Sequence, residues 1–297
     1  MQTTVVVNPR AGSGRAPDVW RRALADGVEL GPATVVQVDS PDEARLQIEA
    51  ALNRGVGRLI VVGGDGSIHL AANVILDAGR GDSVSLGIVP AGTGSDLART
   101  LGLAADPRES LRRIVSGSGR AFDTLRLATD DGRARYIMNV ASAGLSGLVD
   151  EAVNRMELRS ELAYLRATLG ALWRYEPVVC RIAVDGEPWF EGPIFLLAVA
   201  NGSTFGRGMR IAPRAVVDDG LAEIVVIPAI GMLRVLTRLP QVYRGTHLNS
   251  HHVRYRRGRH VRLEPLGPLP PFDLDGETFP AAAAEWTVVP RALTILG

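Results

Sequence analysis

The chain has 297 residues, 46% hydrophobic and 22% charged, with a formal net charge of +1. That describes a soluble globular protein of about two domains, with no global field that would draw nucleic acid. All 33 basic residues are arginine, which excludes every phosphate or Schiff-base design that depends on a lysine.

The first 122 residues alternate strand and helix signals. Residues 4–7 form a β-branched run, and 18–25 read as a helix. A strand at 33–38 precedes a helix over 41–53, with Ala44, Ile48, Ala51 and Leu52 at helical spacing after a Ser-Pro-Asp start. Strand 58–62 ends in two glycines, and helix 68–78 follows. Strand 85–89 is stopped by Pro90, and a helix starts at 95–101. This alternation predicts a parallel sheet covered on both faces.

Beyond residue 123 the rhythm changes to an antiparallel one. Strands at 123–128 and 134–140 flank Asp131-Gly132, and strands at 178–184 and 189–200 flank Asp185-Gly186, both hairpin signals. Further strands are expected at 221–227, 253–255, 260–263 and 286–289, and helices at 158–174 and 232–245. Cys180, the single cysteine, sits among apolar neighbours and reads as an inert core thiol. No stretch approaches the roughly 18 apolar residues of a membrane span, and no secretory leader is evident, so a cytoplasmic protein is expected, at most peripheral to a membrane.

Three glycine-rich turns follow strands of the first half. They are Asn8-Pro9-Arg10-Ala11-Gly12-Ser13-Gly14, Gly63-Gly64-Asp65-Gly66-Ser67 and Pro90-Ala91-Gly92-Thr93-Gly94-Ser95-Asp96. Glycine allows backbone amides close to phosphate oxygens, and a following helix N-terminus adds positive potential. In an open α/β sheet such turns converge on one crevice at the strand C-termini. A single turn would be an ordinary connection; three in one half, two with an aspartate, point to a nucleotide site.

These residues resemble the diacylglycerol and sphingosine kinase-like lipid kinases, and most closely their bacterial soluble diacylglycerol kinase branch. The second turn is similar to the GGDGT signature that this family shares with NAD kinases and phosphofructokinases. The first resembles the family's NPxSG opening, and the third its GTGND turn. Asn139 to Gly147, Asn201-Gly202, Gly208 to Pro213, Asp218 to Leu221 and Asp275-Gly276-Glu277 continue the likeness.

The resemblance implies a Rossmann-like α/β domain over 1–123 that binds ATP. It also implies a β-sandwich lipid domain over 124–297, whose last strand or tail packs back on the first domain, with the active site in the cleft between them. ATP contacts would come from Asn8, Pro9, Arg10, Ala11, Gly12, Ser40, Gly64, Asp65, Gly66, Ser67, Ile68, His69, Leu70, Gly92 and Thr93. Asp65 would serve the catalytic magnesium network with Asp96 and Asp123. Asp219, with the carbonyls of Val216 and Leu221, would match a structural magnesium site. Glu277 would be the general base; Asp185-Gly186-Glu187 repeats its tripeptide but reads as a plain hairpin turn. The implied reaction moves the γ-phosphoryl of ATP to a lipid hydroxyl, by default diacylglycerol giving phosphatidic acid. An NAD kinase-like soluble-substrate enzyme and a non-catalytic lipid-binding protein are the alternatives. The expected partner is lipid at a membrane surface, with no nucleic acid; a homodimer is left open.

Some positions depart from the family pattern. Ser67 and Ser95 replace Thr and Asn, Leu70 stands where Glu is common, and Ser13 where relatives often carry Lys. Phosphate charge would then fall to Arg10, Arg15 or Arg99. Residues 244–262 hold four of the five histidines and six arginines with no acid among them. They read either as a solvated strand face or as a patch for anionic headgroups. A zinc site at His251-His252 is disfavoured, since adjacent residues of a strand point apart.

Overall fold

The computed structural model describes residues 1–92, 95–117, 119–130, 132–145, 170, 175–229, 232–267, 270, 272–279 and 283–297; for 232–236 and 277–279 it describes the backbone. The chain divides into two compact units. The first comprises Met1–Thr124, Val217–Asp219 and Val289–Gly297, and the second Leu125–Val216 and Gly220–Val288.

In the first unit, β1 (Thr3–Val7), β2 (Ala33–Gln37), β3 (Arg58–Gly63) and β4 (Ser85–Pro90) run parallel in the order β4-β3-β1-β2. Val5, Val6, Val7, Ile60, Val61 and Val62 are all buried, as strands covered by helices on both faces require. The helix Pro41–Asn53 starts with a reciprocal cap. Ser40 Oγ accepts the Glu43 amide at 3.1 Å, and Glu43 Oε2 accepts the Asp39 amide at 2.8 Å.

A helix not expected from the sequence spans Pro107–Ser116. Asp106 accepts the Arg108 amide at its start, and Gly117 closes it in the left-handed region (φ 77°). It buries Leu111 and Ile114 against Val5, Val7, Ile60 and Val62.

The second unit is an antiparallel sandwich. Three more strands lie wholly within it before the first long hairpin or belong to it in part: β5 (Gly119–Thr129), β6 (Ala134–Ile137) and β7 (Val140–Gly144). The single strand expected at 134–140 is thus two, broken at Met138-Asn139. β8 (Val178–Val184) and β9 (Glu187–Ala200) form the long hairpin, and β9 goes on to pair with β7 and with β10 (Ala222–Pro228). β11 (Arg254–Gly258), β12 (His260–Pro265), β13 (Phe272–Leu274) and β14 (Glu277–Phe279) follow. Cys180, Ile182, Leu197, Val199, Ile224, Val261, Phe272 and Trp286 fill the core. Burial pushes the Cys180 thiol up to about 11, so it stays protonated and unreactive near neutrality.

β15 (Ala284–Leu296) is much longer than the four residues expected at 286–289. Its first part pairs with β12 in the sandwich, and Thr294–Leu296 run parallel to Ser85–Gly87 of β4 in the first unit. The helix expected at 232–245 spans Met232–Arg244. The one expected at 158–174 lies, apart from residue 170, outside the described residues.

Candidate active site

The three glycine turns sit at the C-terminal ends of β1, β3 and β4, where a parallel sheet opens its crevice. They interlock. Asn8 Nδ2 donates to Ser67 Oγ at 2.9 Å, joining the first turn to the second. Gly12 packs so closely on the third turn that a Cβ there would lie 2.0 Å from the Ala91 carbonyl oxygen. A Cβ on Gly92 would come within 2.5 Å of Gly64 Cα, so the second and third turns meet backbone to backbone. Glycine is therefore required by contact as well as by φ, which is +61° at Gly12.

Asp65 completes the joint. Its Oδ2 accepts the Asp96 amide at 2.9 Å, and its Oδ1 accepts the Leu97 amide at 3.4 Å. A carboxylate from one loop thus caps the helix Asp96–Leu101 that leaves another. Asp96 is buried and bonded to Arg99 Nη1 at 2.9 Å, and Ser95, at φ 48°, donates to the Gly92 carbonyl at 3.0 Å. Arg99 is therefore committed to Asp96. Arg15 Nε is anchored to the Gly12 carbonyl at 2.8 Å, and Arg10 is exposed.

The other expected residues fall as follows. Pro9 and Ala11 line the first turn. Gly66, Ser67, Ile68, His69 and Leu70 begin the helix Asp65–Asp77, with Ile68 and His69 buried. His69 Nε2 lies 3.3 Å from Asn73 Nδ2, a buried polar pair that the sequence reading missed. Ser40 is spent on capping its helix. Thr93 lies outside the described residues. Asp123 is fully buried; its Oδ1 accepts the Arg291 amide at 2.7 Å, and its own amide donates to the Val217 carbonyl at 2.7 Å. It thereby ties together the three separate stretches of chain that make up the first unit. Asp219 and Val216 are exposed and Leu221 is half-buried. Among the described residues no group of three or more His, Cys, Asp or Glu is gathered to hold a metal. Asp65 and Asp96 are instead single carboxylates engaged with the Asp96 and Leu97 amides and with Arg99.

In the second unit, Asp275-Gly276-Glu277 forms the turn from β13 to β14, with Leu274 opposite Glu277. Asp275 Oδ2 accepts the Met138 amide at 2.7 Å, and its Oδ1 accepts those of Asn139 at 3.0 Å and Val140 at 2.9 Å. Asp273, 4% exposed, accepts the Gly276 amide at 2.7 Å and the Ser142 hydroxyl at 3.3 Å. Sequence reasoning assigned no role to Asp273, Asp275 or Ser142, whose contacts join stretches far apart in the chain.

The cationic run 244–262 is partly neutralised by acids from other strands. Arg257 pairs with buried Glu223 at 2.9 Å, and Arg262 with Glu285 at 2.7 Å. His251 and His252 occupy a turn rather than a strand, and their rings do not point apart: the centroids are 3.8 Å apart.

A parallel sheet with interlocked glycine turns and an antiparallel sandwich together make the fold of the diacylglycerol kinases and NAD kinases. Residues 2–127 match the diacylglycerol kinase catalytic domain, and 139–297 the YegS C-terminal NAD kinase beta sandwich-like domain. The chain is 30% identical to a "Diacylglycerol kinase" of Mycobacterium tuberculosis (strain CDC 1551 / Oshkosh), over 99% of this chain and 94% of the relative. It is 31% identical to a "Probable lipid kinase YegS-like" of Chromohalobacter salexigens, over 93% and 86%. A diacylglycerol kinase structure from Bacillus anthracis str. Sterne superposes with a TM-score of 0.74 at 17% identity, over 99% of this chain and 96% of that one. The yeast NADH kinase gives 0.58 at 12% identity, over 100% and 82%. The chain belongs to the diacylglycerol kinase and YegS-like lipid kinase family.

Proposed function

We propose that this protein transfers the γ-phosphoryl group of ATP to the hydroxyl of a membrane lipid, with diacylglycerol as acceptor and phosphatidic acid as product. The observation that carries the reading is the joint at Gly12–Ala91, Gly64–Gly92 and Asp65–Asp96, which brings three glycine turns together at the strand C-termini, an arrangement suited to a polyanion. Phosphoryl transfer asks a protein mainly for positioning and charge neutralisation, and a lysine-free crevice supplies these through amides and arginines. Asp65 and Asp96 would hold a magnesium ion, which when bound neutralises charge developing on the phosphates. Glu277 accepts the proton of the lipid hydroxyl, a service worth about 10²–10⁴-fold in rate. The acceptor implies work at a membrane surface, and the arginines of 244–259 are suited to anionic headgroups.

The test is labelled ATP with detergent micelles of diacylglycerol, a sphingoid base or ceramide, and separately with NAD. Phosphatidic acid formation lost in Asp65→Asn is expected. Phosphorylation of NAD alone overturns the reading, as does lipid phosphorylation unchanged in Asp65→Asn.

A further inference from the structure

We infer that Asp275, backed by Asp273 and Ser142, is a positioning device for Glu277; this rests on Glu277 being the base. β14 is three residues long and ends the sheet, pairing with β13 among the described strands. So short an edge strand leaves the direction of its first residue to the turn that precedes it.

That turn is fixed from three sides. Asp275 (φ 51°) and Gly276 (φ 90°) both take the left-handed conformation of a tight hairpin. The Asp275 carboxylate receives three consecutive amides, those of Met138, Asn139 and Val140, and its own amide donates to the Val140 carbonyl at 3.1 Å. Asp273 then holds the far side of the turn through the Gly276 amide and is itself braced by Ser142, its cross-strand partner on β7. Stretches 138–142 and 272–276, some 130 residues apart in the chain, thus form one rigid polar knot. Charge-assisted bonds to backbone are the strong kind, and a buried network fixes a single arrangement when every member is satisfied. A proton acceptor must stay within hydrogen-bond reach of the hydroxyl, and displacement by about 1 Å costs on the order of 10²-fold.

Asp275→Asn keeps the shape but turns an acceptor into an amide donor facing a backbone N–H, so the turn must rotate. The test is steady-state kinetics on diacylglycerol micelles for Asp275→Asn, Glu277→Gln and the double variant. Asp185→Ala, which lesions the other Asp-Gly turn, serves as control. The expected result is a kcat fall of about ten-fold or more for Asp275→Asn with KM for ATP within about two-fold. The double variant should be no slower than Glu277→Gln, because a misaimed base matters only where there is a base. Asp273→Asn is read in place of Asp275→Asn if the latter does not fold, with the same expectation. Wild-type kcat in the folded variant, or losses that multiply in the double variant, overturns the inference. Wild-type kcat in Glu277→Gln would instead remove the base assignment itself.

Discussion

The sandwich contains the tripeptide Asp-Gly-Glu twice, and the two copies fold alike. Asp185 and Gly186 have φ values of 53° and 82°; Asp275 and Gly276 have 51° and 90°. In each, the aspartate amide donates to a carbonyl of a neighbouring segment whose amides its carboxylate accepts. Asp185 exchanges with His260 and also takes Arg259; Asp275 exchanges with Val140 and also takes Met138 and Asn139. Aspartate and glycine tolerate the left-handed region, so the turn is written locally. What differs is the surroundings. Asp185 is exposed and uses one oxygen for both amides, between two long strands. Asp275 uses both oxygens, has buried Asp273 behind it, and serves two three-residue strands. The same turn is decoration on a stable hairpin in one place and the main support of a short one in the other.

Substitutions can break this comparison, beginning with the largest effect. Glu277→Gln should lower kcat by about 10²–10⁴-fold with no change in urea midpoint, as expected of a general base; an equal loss in Glu187→Gln would mean that the wrong copy had been chosen. Asp273→Ala should cost about 2 kcal/mol in urea unfolding, because it removes a buried carboxylate that accepts both the Gly276 amide and the Ser142 hydroxyl. Asp185→Ala should cost about 1 kcal/mol, since the Arg259 and His260 amides it abandons can reach water.

The first unit was legible because its signals are local. Apolar runs in β1, β3 and β4, each leading into a glycine-containing turn, announce a parallel sheet and its crevice with no knowledge of distant contacts. The helix Pro107–Ser116 escaped because only Leu111 and Ile114 carry its buried stripe, although Asp106-Pro107 is a proper start signal. β13 and β14 escaped because three residues are too few to show alternation, and prolines precede them. Glu277 was nominated as the base through family likeness. Asp275 was not, because its role exists only once residues 138–140 are brought to it, and no spacing rule reports that. Gly92 shows the same limit on a smaller scale: the turn is legible, but the reason for glycine is Gly64 Cα in another loop.

The smallest expected effect is the sharpest control. Glu187 opens β9 in the exposed turn, paired across to Val184, with its side chain in solvent. Removing its charge leaves the Asp185 bonds, the turn dihedrals and the long β8–β9 register in place. Glu187→Gln should therefore stay within about 0.5 kcal/mol of wild type in urea unfolding. Its kcat on diacylglycerol should lie within about two-fold of wild type. Because the residues on its N-terminal side, Asp-Gly, are those that precede Glu277, any difference in outcome between the two glutamine variants comes from tertiary context and not from the tripeptide.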